Sequence, residues 1–446
     1  MRDRFGIDWN QYPRKPFGTG EELGRRMFFR HVASATAGYF LLPGRPMETV
    51  ARAAAPAIGT AKNCIFVLLS GAMSHVDTWD LKEGAWLPAR FNPTSYGDLR
   101  WPQGLMPRLA EQLDSLAIVR SMYAWAGVHD LMRRWVQIGR NPASPSSNVS
   151  PHIGSVVSME LGAQSSDPTL PAFVALNANP DAGSGFLAPE NAPFVVTAGG
   201  ALPNTAHPVG AARFDQRYGL LQELDAETRA TADFGPGAAE TAAWNARARL
   251  LMYNAGVNNA FTTQAADRTR YGNTGFGNAC LTARQLLKSN LGVRFIQITF
   301  GGWDHHTNIY ANNANLSLLA PQLDQGLAEL IADLRADRLF DSTLIVAQGE
   351  FGRTVGPLNS SAGRDHHQQQ SVLFAGGGVR GRTVIGSTDS LGRRTAEPGW
   401  SRNRDIRNED IEATIYSALG IDYAKLLRDP LGRAFEYVPG TLDGDL

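Results

Sequence analysis

Five short stretches of the chain have the apolar character of buried β-strands. Residues 64–69 are apolar throughout, which is typical of a strand that is covered on both faces. In residues 294–300, Ile296, Ile298 and Phe300 alternate with other side chains and predict a strand with one uniform apolar face. The remaining three stretches, each mainly aliphatic, are 116–119, 343–347 and 371–375.

Apolar residues spaced three and four apart predict helices between these strands. The clearest example is the leucine series that starts at Leu316 and ends at Leu334. Gly139 and Gly420 follow two of the periodic stretches and are expected to end those helices. The alternation of strand and helix predicts an α/β fold, with a mostly parallel central sheet and helices on both faces. The predicted helices cover residues 129–138, 241–260, 279–290, 316–334 and 409–419.

Residues 58–446 are predicted to form a single domain. The chain of 446 residues is long enough to bury a sizeable core. Residues 141–240 are rich in Ala, Pro, Asn and Ser and show weak periodicity. We therefore expect a long irregular excursion from the core in that part of the domain.

The segment 1–57 has the features of an export signal. Arg25 and Arg26 precede two aromatic residues, a short mildly apolar run at 32–42 and a small-residue stretch at 55–57. This order is similar to a twin-arginine signal and predicts a periplasmic, cell-surface or extracellular protein. The alternative is a basic helix docked on the domain. Since the apolar run is too short for a permanent membrane-spanning helix, an integral membrane protein is not expected.

Composition excludes some partners. The 42 basic residues balance the 42 acidic ones, and no basic stripe is present, so a nucleic-acid partner is not expected. The two cysteines, Cys64 and Cys280, both lie in apolar surroundings. They are predicted to be buried free thiols and not a disulfide.

Clusters of carboxylates and imidazoles lie at the boundaries of three predicted strands. In open parallel sheets the carboxyl ends of the strands are where sites are built, so we expect these clusters to meet. Carboxylate and imidazole together are ligands for a divalent metal such as zinc, iron, manganese or calcium. The predicted metal ligands are Asp304, His306, Glu350, Asp365 and His366.

Two arginines are candidate clamps for a tetrahedral oxyanion. Arg353 follows one of these strands, and Arg133 lies in the helix that begins at His129. The alternative is structural, with His305 and His367 as surface neighbours and with Glu350 and Arg353 in an ion pair.

Several stretches of the chain match a known family. They include LLSGAMSHVDTWDLK, RFIQITFGGWDHHTN, QGEFGRT, GRDHH and DPLGR, and they are scattered over residues 68–433. On these stretches the chain is identified as a member of the exported family of domain of unknown function 1501. That family is similar in fold to the alkaline phosphatase and sulfatase superfamily. The resemblance implies an alkaline phosphatase-like domain.

The resemblance also bears on catalysis. The helix-opening motif of sulfatases, C-x-P-S-R followed by T-G-R, is similar to HDLMRRWVQIGRNP here, with Arg133 at the arginine position. His129 then stands where the superfamily has its nucleophile. It could act as a nitrogen nucleophile, as a general acid or base, or as another metal ligand.

Two further motifs resemble the superfamily only in part. The turn at 349–352 keeps a carboxylate, Glu350, but has Phe351 where the superfamily has an imidazole. The last histidine of the superfamily matches His366 or His367.

These observations predict an exported metal-dependent hydrolase of phosphate or sulfate esters. His129, Arg133 and Arg353 are its predicted catalytic residues, and the substrate is a small-molecule or polymer ester. The alternative is a non-catalytic subunit of an envelope or extracellular assembly that keeps the same fold. The missing Ser, Thr or Cys nucleophile and Phe351 favour that alternative.

Overall fold

The computed structural model describes residues 48–49, 59–230, 236–400, 402–429 and 431–438. The predicted twin-arginine motif and the apolar run after it, residues 24–42, lie outside the described residues. The strands are β1 (Glu48–Thr49), β2 (Asn63–Leu69), β3 (Pro93–Tyr96), β4 (Leu99–Pro102), β5 (Leu116–Tyr123), β6 (Phe173–Leu176), β7 (Phe194–Val196), β8 (Phe295–Thr299), β9 (Thr343–Gly349), β10 (Gly352–Arg353), β11 (His366–His367), β12 (Gln369–Gly376), β13 (Thr383–Ile385), β14 (Ser387–Thr388), β15 (Thr395–Glu397), β16 (Leu426–Arg428) and β17 (Ala434–Glu436).

The helices alternate with the central strands along the chain. Within the described residues, none of them is long and apolar enough to cross a membrane. They are α1 (Pro107–Ala110), α2 (His129–Ile138), α3 (Ile153–Leu161), α4 (Ala211–Ala230), α5 (Pro236–Leu251), α6 (Ala255–Phe261), α7 (Ala265–Arg270), α8 (Gly275–Ser289), α9 (Asn315–Ala336) and α10 (Asn408–Ala418).

Nine strands of the described chain form one sheet, in the order β1-β13-β5-β12-β9-β2-β8-β6-β7. β12 runs antiparallel to both of its neighbours, β5 and β9. The other neighbouring pairs are parallel. The predicted α/β fold with a mostly parallel sheet is therefore confirmed. Because β12 runs the opposite way, its first residues lie at the same edge as the carboxyl ends of β5, β9, β2 and β8.

The sheet separates two hydrophobic cores. Side chains alternate along a strand, so in β2 Ile65 and Val67 pack into one core while Phe66 and Leu68 pack into the other. Helices α8 and α9 cover the first core, and α2, α3 and α10 cover the second. Helices on both faces are thus confirmed. The two cysteines, Cys64 and Cys280, are free and buried, as predicted.

The stretch 141–240 contains more regular structure than its weak periodicity predicts. It supplies α3 and α4 and also β6 and β7, which extend the central sheet beside β8. The two strands are short, FVAL and FVV, so neither shows a period of its own. β6 pairs with β8, and β7 pairs with β6. This pairing selects the two segments as strands, and that is a tertiary effect.

The predicted helix at 241–260 is divided in two. α5 ends at Leu251, and the side chain of Asn254 accepts a hydrogen bond from the backbone N–H of Val257 at 3.2 Å. Asn254 therefore caps the start of α6.

A glycine allows the end of α2 to contact α10. Gly139 ends α2 in the left-handed conformation, with φ of 59°, and a Cβ there would lie 1.1 Å from Oε2 of Glu412. The Glu412 side chain is buried, and its Oε1 accepts a 2.8 Å hydrogen bond from the hydroxyl of Tyr416. Burial raises the pKa of Glu412 to about 8, although Arg140 and the Tyr416 hydroxyl partly oppose that shift.

We expect Glu412→Gln to raise the free energy of unfolding at pH 8 and to change it little at pH 4.5. Folded Glu412 keeps its proton up to a pKa of about 8, whereas the unfolded residue ionises near 4.5. The parent therefore loses stability as the pH rises between these values, by at most about 1.4 kcal/mol per pH unit. Urea unfolding at both pH values measures the difference, with exposed Glu111→Gln as the control. An equal effect at the two pH values would contradict the prediction.

Candidate metal centre

Three separate segments carry histidines to the carboxyl edge of the sheet. The loop after β8 brings Asp304 and His306, and the first residue of α2 is His129. The third histidine, His366, lies in β11, which pairs with β10 and precedes β12. The predicted meeting of clusters from separate strands is observed here, because parallel strands deliver their loops to one edge.

The Nε2 atoms of His129 and His306 each lie close to Nε2 of His366. His366 Nε2 lies 3.1 Å from His129 Nε2 and 3.0 Å from His306 Nε2. Asp304 Oδ1 lies 3.0 Å from His306 Nε2, 3.3 Å from His129 Nε2 and 3.7 Å from His366 Nε2. These four atoms, which we call the ligand cluster, come from His129, Asp304, His306 and His366. The cluster is open to solvent, since the Asp304 side chain is 45% exposed.

The other nitrogen of each ring is held by an oxygen atom. His129 Nδ1 lies 2.5 Å from Glu350 Oε2, and His306 Nδ1 lies 2.7 Å from Asp365 Oδ1. His366 Nδ1 lies 2.7 Å from the carbonyl oxygen of Gly127. Because these oxygens accept hydrogen bonds, each Nδ1 carries a proton, and the neutral form of each ring has its lone pair on Nε2.

The ligand cluster fits a metal ion. Within the described residues, ligand atoms of His129, Asp304 and His366 all lie within 4.8 Å of one another. The Nε2 atom of His306 lies beside this group, 3.0 Å from His366 Nε2. Nitrogen lone pairs this close repel unless a cation lies between them. Histidine ligands of metals characteristically donate their second N–H to a carboxylate or a backbone carbonyl, as all three rings do here. Imidazole nitrogens together with one carboxylate oxygen suit zinc, iron or manganese. Calcium, which takes six to eight oxygen ligands, fits this donor set poorly.

Glu350 and Asp365, both predicted as metal ligands, lie behind the imidazoles. Glu350 is fully buried, and its Oε1 accepts hydrogen bonds from the hydroxyl of Ser70 at 3.1 Å and from the N–H of Gly71 at 2.9 Å. Its Oε2 faces His129. Both carboxylates therefore orient a ring, and in this arrangement neither adds an oxygen to the ligand cluster.

The fully buried guanidinium of Arg353, a predicted oxyanion clamp, points at protein acceptors. Its Nε donates to the carbonyl of Ala72 at 2.9 Å, and Nη1 donates to the carbonyl of Arg364 at 3.3 Å. Its Nη2 donates to the carbonyl of Gly71 and to Oδ1 of Asp304. This placement favours a role in holding Asp304 over direct contact with a substrate.

Two consecutive residues with positive φ turn their carbonyls toward Arg353. Gly71 has a φ of 102° and buried Ala72 a φ of 63°. An alanine in the left-handed region is strained, and strain of this kind persists where the surroundings enforce it.

Arg133, the second predicted clamp, lies one turn after His129 on α2. Its Nε lies 2.9 Å from both carboxylate oxygens of Asp181, and its Nη2 lies 2.8 Å from Asp130. A substrate oxyanion would have to replace Asp181 to bind this guanidinium.

The neighbouring imidazoles have pKa values shifted in opposite directions. The hydrogen bond that His129 donates to Glu350 raises the pKa of His129 above its ordinary value. Burial, followed by the charges of Arg353 and the neighbouring histidines, lowers the pKa of His366. Burial alone would raise the pKa of Asp304, but Arg353 and the nearby histidines outweigh it and hold that pKa low. Asp304 is thus kept ionised beside the rings.

Sequence reasoning missed several groups that support the cluster. Ser70 lies at the start of a polar loop after a predicted strand, which is a weak signal in the sequence. Gly127 lies just before the predicted helix start, but it acts through its backbone carbonyl, which carries no residue-type signature. The two histidines adjacent to the cluster point elsewhere. His305 is buried, and His367 Nε2 faces the carbonyl of Arg393 at 2.9 Å.

The fold and site together define an α/β protein with a three-histidine cluster at the carboxyl edge of its sheet. Residues 61–442 match the family described as "Protein of unknown function (DUF1501)". The chain belongs to this family, as its motifs predicted. None of the curated proteins matches the chain.

Solved structures with similarity to the chain include three bacterial proteins. A protein in the alkaline phosphatase superfamily from Vibrio parahaemolyticus is 13% identical, with 91% of this chain and 76% of that chain covered and a TM-score of 0.38. A sulfatase from Pseudoalteromonas sp. is 12% identical, with 81% of this chain and 68% of that chain covered and a TM-score of 0.39. A phosphonate monoester hydrolase from Silicibacter pomeroyi is 13% identical, with 81% of this chain and 74% of that chain covered and a TM-score of 0.37.

We expect Glu350→Gln to lower the pKa of His129, because the substitution removes the carboxylate that stabilises the imidazolium. An NMR titration of the His129 ring in metal-free protein measures the shift. Exposed Glu190→Gln is the matched control, since it removes the same charge elsewhere. An unchanged pKa of His129 in Glu350→Gln would contradict the assigned pair.

Proposed function

We propose that this chain is an exported metal-dependent hydrolase of phosphate or sulfate esters. The observation that carries the proposal is the grouping of His129, Asp304 and His366 ligand atoms within 4.8 Å of one another, with His306 Nε2 3.0 Å from His366 Nε2. In all three rings an oxygen atom holds Nδ1, which leaves Nε2 for the metal. The twin arginines at Arg25 and Arg26 support export to the periplasm, the cell surface or the medium. The substrate is a small-molecule or polymer ester.

The ligand cluster would hold one zinc, iron or manganese ion. When bound, such an ion polarises an oxygen of the ester or lowers the pKa of a water molecule to about 7. His129 serves in this proposal as a ligand, because its Nε2 faces the cluster while Glu350 holds its Nδ1. Arg353 keeps Asp304 ionised and oriented.

Arg133 is the proposed binding group for the oxyanion of the ester. It lies one helical turn from His129, and its side chain is 27% exposed. Asp181 holds the guanidinium with the same two-oxygen geometry that a sulfate or phosphate would offer. On substrate binding, the sulfate or phosphate group replaces the Asp181 carboxylate at the Arg133 guanidinium.

A non-catalytic assembly subunit is the second candidate function. Two observations favour it. The N–H donors of Arg353 already face protein acceptors, and Arg133 is already paired with two carboxylates. Such a protein would keep the metal, if any, for structure alone.

Elemental analysis tests the metal centre. We expect the purified full chain to carry about one equivalent of zinc, iron or manganese, and the double variant His306→Ala/His366→Ala to carry none. His207→Ala is the control, because it removes a histidine away from the cluster. A metal-free parent, together with equal stability of the double variant, would favour the assembly subunit.

Hydrolysis of aryl phosphate and aryl sulfate esters tests the activity. We expect the metal-loaded parent to hydrolyse at least one class, and His366→Ala to lower kcat/KM by about 100-fold or more, since lost metal polarisation is worth several kcal/mol. The ratio of rates for the two classes identifies the preferred ester. A metal-loaded parent that hydrolyses neither class would overturn the proposed activity and leave the metal centre standing.

A further inference from the structure

A buried ion pair that contributes no ligand lies behind the ligand cluster. Arg364 and Asp77 are both fully buried, and they meet through two contacts, Nε to Oδ2 at 2.7 Å and Nη2 to Oδ1 at 3.1 Å. Asp77 also accepts hydrogen bonds from the hydroxyls of Ser74 and Tyr310, each at 2.6 Å. Neither residue of the pair was predicted to belong to the site.

Every donor of the Arg364 guanidinium has an acceptor. Besides Asp77, it donates to the hydroxyl of Tyr310 at 3.0 Å, to the carbonyl of Thr354 at 2.7 Å and to the carbonyl of Gly356 at 3.0 Å. The guanidinium therefore joins three loops at the carboxyl edge of the sheet. These are the loops after β2, after β8 and after β10.

The backbone of Arg364 connects the same loops to the ligand cluster. Its N–H donates to the carbonyl of His305 at 3.0 Å, and its carbonyl accepts from Arg353, which holds Asp304. The preceding Gly363 lies so close to His306 that a Cβ would be 2.0 Å from the His306 carbonyl carbon.

The residues that follow Arg364 are therefore placed by it. Asp365, the acceptor for His306, comes next, and His366 follows with its ring in the ligand cluster. A shift of the Arg364 side chain would move both.

Energetics argue for a geometric role. A buried ion pair seldom stabilises a fold more than apolar side chains of similar volume would, because desolvation cancels much of the attraction. What a bidentate, fully bonded guanidinium provides is a single geometry. The ion pair lies next to the segments that carry the ligand cluster, where a fixed geometry is needed for metal binding.

We propose that Arg364, Asp77 and Tyr310 form a positioning cluster that sets the geometry of the metal centre. The proposal rests on the proposed function, because it requires that the ligand cluster binds a metal. The members touch neither metal nor substrate. They act through the backbone of residues 364–366 and through Arg353.

Metal affinity and metal spectroscopy test this proposal. In the full chain, Arg364→Lys keeps the positive charge but loses the planar guanidinium that contacts both oxygens of Asp77. Tyr310→Phe removes only one hydroxyl. We expect Arg364→Lys to weaken zinc and cobalt binding by about 10- to 100-fold, and Tyr310→Phe to weaken it less, as for other groups that support metal ligands. The visible absorption of bound cobalt should also change, since it reports ligand geometry. Competition with a chromophoric chelator measures the dissociation constants.

Arg284→Lys is the matched control, because Arg284 pairs with Asp333 and Asp337 away from the ligand cluster. Its metal affinity should equal that of the parent. If the parent binds metal and folded Arg364→Lys has the parent's affinity and cobalt spectrum, the positioning cluster is wrong while the metal centre stands. If Arg364→Lys does not fold, parent-like affinity and spectrum in Tyr310→Phe overturn the proposal. A parent that binds neither ion refutes the metal centre and the positioning cluster together.

Discussion

Two buried guanidinium groups hold together the loops that leave the carboxyl edge of the sheet. Arg353 binds the carbonyls of Gly71 and Ala72 and the carboxylate of Asp304, while Arg364 binds Asp77 and two further carbonyls. A buried cation without acceptors would be very costly, so each guanidinium forces several loops to turn oxygen atoms toward it. The loops that carry the histidines have little regular structure of their own and depend on these contacts.

The electrostatics of the site follow from that arrangement. Asp304 stays ionised beside Arg353, and the Nδ1 atoms of His129, His306 and His366 are all engaged with oxygen acceptors. The Nε2 atom of His366 therefore lies 3.1 Å from that of His129 and 3.0 Å from that of His306. Proteins rarely gather unshared lone pairs without a cation to receive them, and this is why the arrangement points to a metal more strongly than the residue types alone do.

Membership of a family of unknown function leaves the chemistry to be argued from the site. The site combines the imidazoles of the ligand cluster with arginines that are already paired. Arg133 with Asp181 is the pair on which substrate binding depends in the proposed hydrolase, because the carboxylate there has the shape of the oxyanion it would yield to. The same pairing would be permanent in an assembly subunit. The proposed hydrolase and the assembly subunit thus differ in whether the ion pair of Arg133 with Asp181 opens.

The sequence by itself determined the fold class, the five strands around which the sheet is built and the edge at which the site lies. Those features follow from the apolar pattern along each strand and from the rule that parallel strands end together. It also offered Asp304, His306 and His366 as candidates, since an imidazole or a carboxylate beside a buried strand is visible as a residue type.

Only the tertiary structure decided which of these side chains lie in the ligand cluster and which ones hold the imidazole rings. His129 joins the ligand cluster, whereas Glu350 and Asp365 stand behind it, because each carboxylate meets an Nδ1 from a distant segment. The carbonyl of Gly127 and the pair of Asp77 with Arg364 depend on contacts between segments far apart in the chain. β6 and β7 likewise become strands through the neighbours they pair with. Residue types and periods are local, and which oxygen faces which nitrogen is settled only when the loops pack.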